Sequence, residues 1–91
     1  MQGSVVFGFG DIFKDMLVAV TVDHLQDCIL EKWLKKRGDR VQKGKPLYRV
    51  VCGVLSFEIG SPVTGTLSEI KVAPETRLSK GDVIAYVWPE G

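Results

Sequence analysis

The sequence predicts one all-β domain, and the prediction rests on its turn residues, its alternation and an internal repeat. Its 91 residues are enough for one modest core. Short apolar runs are separated by Gly, Pro and Asp, as is typical of strands joined by turns. The stretch "FEIGSP" alternates like a half-buried strand, which predicts Phe57 and Ile59 inward and Ser56 and Glu58 outward.

Six strands are predicted in order along the chain. They are Leu17–Val22, Cys28–Leu34, Leu47–Val51, Leu55–Ile59, Gly65–Val72 and Ile84–Val87. Turn signals fall between them, namely "RGD" (37–39), "KGKP" (43–46), "GSP" (60–62) and "SKGD" (79–82). One helical turn is predicted in "DIFKDML" (11–17), with Asp11 as its cap. We expect residues 1–16 to form an N-terminal extension and residues 17–91 to form the domain.

The chain repeats itself at a shift of 37 residues. At this shift "RVQKGKPLYRV" (40–50) falls on "RLSKGDVIAYV" (77–87), and "ILEKWL" (29–34) falls on "TLSEIK" (66–71). Two copies are too few for a solenoid, so the repeat predicts two similar halves related by a quasi-twofold axis. Gly44 and Gly81 then lie in equivalent turns, where positive φ is expected.

Charge gives no global argument for binding nucleic acid or membranes, because the net charge is +1 and the pI is near 7.8. We predict neither kind of partner. The distribution is uneven, since residues 31–49 carry eight basic and two acidic side chains, a net +6. A solvated face explains this basic segment, and a docking patch for an acidic partner is the alternative.

No catalytic or metal-binding pattern is recognisable. There is one histidine, His24, and the two cysteines, Cys28 and Cys52, could pair but do not make a disulfide framework. Neither a nucleophile–base set nor a phosphate loop occurs, so we predict that the chain is not an enzyme. The first residues do not read as a secretory signal, and no apolar run is long enough for a membrane helix. A cytoplasmic location is predicted.

Three stretches together resemble the biotinyl/lipoyl attachment domains. They are "ILEKWLKKRGDRVQKGKPLYRV" (29–50), "FEIGSPVTGTLSEI" (57–70) and "ETRLSKGDVIAYV" (75–87). The resemblance covers about residues 17–87 and is nearer to lipoyl domains of 2-oxoacid dehydrogenase acyltransferase subunits, because biotin carriers usually show Met-Lys-Met. It implies a flattened β-barrel, a barrel-sandwich hybrid of two quasi-twofold-related four-stranded halves.

The resemblance also implies a hairpin tip whose lysine forms an amide with lipoate or biotin. Counting back from Glu58 puts that lysine at Val54, and no lysine occurs between Lys45 and Lys71. No cofactor is therefore predicted. Because its thiol is near an exposed turn, Cys52 could instead carry an acyl group or form a mixed disulfide, whereas Cys28 is expected in the core.

We predict that the tip is an interaction surface because it is continuously apolar. It comprises Val51, Cys52, Gly53, Val54 and Leu55. Exposing a valine or leucine forfeits roughly 1.5–3 kcal/mol relative to burial, so a cover is expected. The segment "SVVFGFGDIF" (4–13) or a second chain could supply it; alternatively, the tip completes the local core.

Three functions are compatible with these features. The leading hypothesis is a non-catalytic protein-interaction or scaffold module without a modifiable lysine. The alternative is a lipoyl or biotinyl carrier domain of a 2-oxoacid dehydrogenase or carboxylase system whose lysine has been lost or replaced. The third is a lipoyl-like module of an export-type membrane fusion protein, which ranks last because the sequence has no long helical-hairpin insertion.

Overall fold

A computed structural model describes residues 16–23 and 27–90. In the described part, eight strands form two four-stranded sheets, with every strand pairing antiparallel. The strands are β1 (Val18–Thr21), β2 (Cys28–Trp33), β3 (Arg40–Val41), β4 (Pro46–Cys52), β5 (Leu55–Gly60), β6 (Gly65–Ile70), β7 (Arg77–Leu78) and β8 (Val83–Pro89). The sheet orders are β1-β8-β6-β3 and β5-β4-β2-β7. This confirms the predicted all-β fold of two four-stranded halves.

The six predicted strands correspond to β1, β2, β4, β5, β6 and β8. The sequence missed β3 and β7, which have two residues each. Each lies beside a turn, and a two-residue strand is too short for alternation to identify it. The predicted cap at Asp11 lies outside the described residues.

The core consists of matching residues from the two halves, because β2 and β6 bury alternate side chains and β4 and β8 bury equivalent positions. At the repeat shift, Leu30 matches Leu67 and Leu47 matches Ile84, and all four are fully buried. The other buried apolar residues are Val20, Val22, Cys28, Val41, Tyr48, Val50, Leu78, Ala85 and Val87. The two sheets therefore share one core.

Main-chain hydrogen bonds obey the same symmetry. The N–H of Leu30 donates to the carbonyl of Thr76 at 2.9 Å, and the N–H of Leu67 donates to that of Asp39 at 2.8 Å. The bounds of β2, β3 and β4 become those of β6, β7 and β8 on adding 37. Gly44 and Gly81 have φ values of 82° and 94°, which confirms the prediction for their turns.

Candidate functional site

The connection between β4 and β5 is a two-residue turn, Gly53-Val54, flanked by the cross-strand pair Cys52 and Leu55. Gly53 has φ 68°, which suits the first central position of a type II′ hairpin turn. Val54 takes the second central position, and its side chain is 100% exposed. The residue at the apex of the hairpin is thus an aliphatic side chain in open solvent.

The side chains on the core-side face of β5 become more exposed toward this apex. Ile59 packs against the core, Phe57 is 46% exposed and Leu55 is 59% exposed. These three alternate residues share a face, and Phe57 lies opposite the buried Val50. The prediction that Phe57 faces inward is right about the face and wrong about burial. Its side chain is on the core-side face of the strand but is 46% exposed.

The opposite face of the sheet near the apex is apolar as well. Ile29 on β2 pairs with Val51 on β4, and Ile29 is 44% exposed. These two residues line a shallow groove of about 410 Å³ with Glu31 and Glu75. Both faces of this end of the sheet therefore offer apolar side chains. We define the tip surface as Ile29, Val51, Val54, Leu55 and Phe57.

All five tip residues predicted from the sequence lie together at this end. Val51 and Cys52 are half-buried, whereas Gly53, Val54 and Leu55 are exposed. The alternative in which the tip completes the local core is wrong for Val54 and Leu55. The proposed cover by residues 4–13 lies outside the described residues. Sequence reasoning missed Ile29, although its position one residue after the buried Cys28 places it on the outer face of a strand.

Cys52 is bonded to Cys28 in a disulfide, with Cα atoms 4.3 Å apart. The alternative of a free Cys52 thiol that carries an acyl group is therefore wrong for this structure, whereas the core position of Cys28 is confirmed. The disulfide ties the apical end of β4 to β2. Stable disulfides are uncommon in reducing compartments, so this bond weighs against the cytoplasmic location, which stays a prediction.

The basic segment 31–49 is partly neutralised by ion pairs. Arg40 contacts Glu90 at 2.9 Å, and Arg49 contacts Glu31 at 3.2 Å. The hydrogen bond from Arg40 lowers the pKa of the Glu90 carboxyl. A groove of about 480 Å³ lies in this region, lined by Leu34, Lys35, Arg40, Gln42, Lys45 and Pro46. The acidic partner for this segment stays a prediction.

Within residues 16–23 and 27–90, no cluster of three or more potential metal ligands occurs. The same part of the chain contains no helix long and apolar enough to cross a membrane. The tip does not fit an amide-linked lipoyl or biotinyl group, because the linkage needs an amine and Val54 carries an isopropyl group.

Two antiparallel four-stranded sheets with internal twofold symmetry and a protruding hairpin define a barrel-sandwich domain of the biotinyl/lipoyl class. A family model described as "Biotin-requiring enzyme" matches residues 18–87, and the chain belongs to this biotin/lipoyl family.

Curated relatives include acyltransferase subunits and a carboxylase. The acetyltransferase component of the pyruvate dehydrogenase complex of Corynebacterium glutamicum is 34% identical over 79% of this chain and 11% of its own length. The corresponding component of the acetoin cleaving system of Bacillus subtilis is 36% identical over 60% of this chain and 14% of its own length. Pyruvate carboxylase 1 of Caenorhabditis elegans is 35% identical over 59% of this chain and 5% of its own length. The chain thus spans only a small part of each relative.

A solved structure supports the fold. The lipoyl domain of the 2-oxoglutarate dehydrogenase complex of Azotobacter vinelandii superposes with a TM-score of 0.63. The match covers 84% of this chain and 99% of that domain at 15% identity. At this identity the likeness concerns the fold alone.

Proposed function

We propose that this chain is a non-catalytic member of the biotin/lipoyl family that works through protein contacts at its hairpin tip and carries no lipoyl or biotinyl group. The observation behind the proposal is Val54. It stands fully exposed at the apex of the hairpin, where the family resemblance places the attachment lysine.

No neighbouring lysine can replace the missing one. The sequence has none between Lys45 and Lys71. Lys45 immediately precedes β4, whose seven residues run from Pro46 to the tip at Cys52. At about 3.3 Å per residue, such a strand separates Lys45 from the tip by roughly 20 Å. A ligase that recognises the hairpin apex would therefore find no amine.

The tip surface is suited to a contact with another protein. Val54, Leu55 and Phe57 are large apolar side chains with much of their area in solvent. Full burial of an exposed side chain of this size is worth roughly 1.5–3 kcal/mol, and the half-exposed Leu55 and Phe57 would gain part of that. Contiguous apolar patches usually mark interaction sites. The disulfide beside the hairpin turn holds this surface in one shape, which reduces the entropy lost on binding.

The attachment part of the proposal is tested by co-expression with a lipoate ligase and with a biotin ligase, followed by intact-mass measurement. We expect no added group on the natural chain and one added group on Val54→Lys. A matched control, Thr66→Lys, places a new exposed lysine on β6 and should stay unmodified. A lipoyl or biotinyl mass on the natural chain would contradict the proposal.

The contact part is tested with a photo-cross-linking amino acid at position 54, compared with the same residue at position 66. We expect a defined cross-linked protein for position 54 alone. Equal cross-linking from both positions, or none from position 54, would overturn the contact function while leaving the absence of modification intact.

A carrier domain that has lost its lysine is the second candidate, favoured by the names of the acyltransferase and carboxylase relatives. The two candidates differ in what Val54→Lys restores. Acyl-transfer activity of a parent complex, regained with a lipoylated Val54→Lys domain, would favour the carrier origin.

A further inference from the structure

Strand β5 is a sheet edge along which no other strand of the described residues pairs. It lies at the end of the order β5-β4-β2-β7, and its six residues make it the longest edge strand in the described part of the chain. The other edge strands, β1, β3 and β7, have four, two and two residues. The sequence of β5, "LSFEIG", contains neither Lys nor Pro, which commonly block edge pairing, and Glu58 is its one charged residue.

The ladder of the hairpin shows which main-chain groups of β5 are free to pair. Cα atoms 4.3 Å apart identify Cys28 and Cys52 as a non-hydrogen-bonded pair, so the N–H and C=O of Cys52 point toward β5. Leu55, which lies opposite Cys52, points its own groups back toward β4. Alternation then directs the N–H and C=O of Ser56 and Glu58 to the free edge.

We propose that β5 pairs with the β5 strand of a second copy of this chain, antiparallel and centred on Phe57. In this register Ser56 lies opposite Glu58 of the second copy, and the two symmetric pairs make four main-chain hydrogen bonds. Phe57 lies opposite its own equivalent in a close non-hydrogen-bonded pair. Leu55 lies opposite Ile59, so the apolar side chains of both strands meet on one face. The sheet β5-β4-β2-β7 of one copy then joins the same sheet of the second copy in one continuous sheet.

Charge selects this register over the one centred on Glu58. Centring on Glu58 would set two carboxylates directly opposite each other, which is destabilising. In the Phe57 register each Glu58 lies opposite a serine. Arg49, which is cross-strand to Glu58, already donates to the Ser56 hydroxyl at 3.2 Å. Each copy therefore brings a guanidinium beside the carboxylate of the other.

The inference goes beyond the proposed function, because it adds a contact with a second copy along β5 and does not occupy the apex at Val54. The self-complementary pattern of Leu55, Phe57 and Ile59 favours a second copy of this chain as the partner of β5. Leu55 and Phe57 are about half exposed in the single copy. Pairing through β5 would cover Leu55 and Phe57 while leaving the apex at Val54 accessible.

Sedimentation velocity of the purified chain at increasing concentration tests the inference. We expect a monomer–dimer equilibrium that Phe57→Lys weakens at least about tenfold, because the variant sets two ammonium groups opposite each other. Thr66→Lys, on the central strand β6, adds the same charge and should leave the equilibrium unchanged. Ser56→Pro removes an outward N–H that the hairpin ladder does not use, so it should abolish the dimer and preserve the circular dichroism spectrum.

Cysteine cross-linking tests the register. Phe57→Cys should give a covalent dimer on air oxidation, since paired Cα atoms in this register are within disulfide range. Ser56→Cys should not, because its partner is Glu58. A monomer at all concentrations, or equal cross-linking of the two variants, would overturn the inference. Neither outcome changes the expected ligase result at position 54, so this inference and the proposed function can fail separately.

Discussion

Gly38 and Glu75 occupy equivalent turns of the two halves, and both have positive φ, 95° and 68°. Their N–H groups make matching hydrogen bonds, from Gly38 to the carbonyl of Leu67 and from Glu75 to that of Leu30. The left-handed conformation costs an L-residue about 1–2 kcal/mol, a penalty that glycine avoids. One half of the molecule therefore has glycine in this turn, and the other half retains a strained side chain.

Glu75→Gly should consequently stabilise the domain. The relief of strain exceeds the extra chain entropy of glycine, and we expect a gain of about 0.5–1 kcal/mol in the free energy of unfolding. Urea denaturation of the natural chain and the variant measures it. The reciprocal change, Gly38→Ala, should cost about 1–2 kcal/mol from conformation alone, since a Cβ at Gly38 would meet no atom within 4 Å. A loss of stability in Glu75→Gly would contradict the assignment of strain to this turn.

The repeat made much of the fold predictable, and its limits explain what was missed. Buried pairs such as Leu30 and Leu67 stand at matching positions because both halves face the same core. Glu75 gave no such signal, because a glutamate does not indicate positive φ as Gly38 does. The exposure of Phe57 was equally hidden: alternation assigns a face to a side chain but does not show how far the opposite sheet extends over it.

The disulfide was left open for a similar reason, since sequence spacing does not place Cys28 opposite Cys52. Removing it with Cys28→Ala/Cys52→Ala should destabilise the domain by about 3.5 kcal/mol, the chain-entropy value for the 24-residue separation. Denaturation with and without reductant measures the effect. The double variant is the control and should be insensitive to reductant. Equal stability of the natural chain in both conditions would show that the bond does not contribute.

The oxidation state in the cell tests the predicted cytoplasmic location against this bond. Rapid acid quenching and thiol alkylation, read by intact mass, give the fraction of Cys28 and Cys52 that is oxidised. We expect an oxidised majority in an oxidising compartment and free thiols in a reducing cytoplasm. A stably oxidised pair in cells would count against the cytoplasmic prediction.

Tyr48 should make the domain sensitive to alkali. Burial, with a smaller effect from the charge of Asp23, raises the pKa of Tyr48 to about 12. In the unfolded chain a tyrosine titrates near pKa 10, so the unfolded state binds fewer protons above that pH and stability falls as pH rises. The expected loss is about 1.4 kcal/mol at pH 11. Denaturation from pH 8 to 11 measures it, and Tyr48→Phe should lack this component. An identical pH profile for the variant would contradict the assignment.

Gly65 closes the corner that leads from β5 into β6. The hydroxyl of the buried Ser61 donates to the carbonyl of Val63 at 2.6 Å, which turns the chain sharply before β6 begins. Gly65 then pairs with Pro89 on β8, and a Cβ at Gly65 would overlap the carbonyl oxygen of Trp88. The obstacle is main chain in a central strand, so it cannot move aside like a flexible side chain.

Gly65→Ala should therefore destabilise the domain by about 1–3 kcal/mol, the usual range for overpacking, or by more if β6 and β8 cannot separate. Thr66→Ala is the matched control, because the side chain of Thr66 on the same strand is exposed and its loss should change stability by less than about 0.5 kcal/mol. Urea denaturation compares the two. The tip lies at the end of β5 that is far from this corner, so a folded Gly65→Ala domain should keep the dimer equilibrium of the natural chain. Similar stability of both variants would show that β6 and β8 can separate without cost, contrary to the close main-chain contact at Gly65.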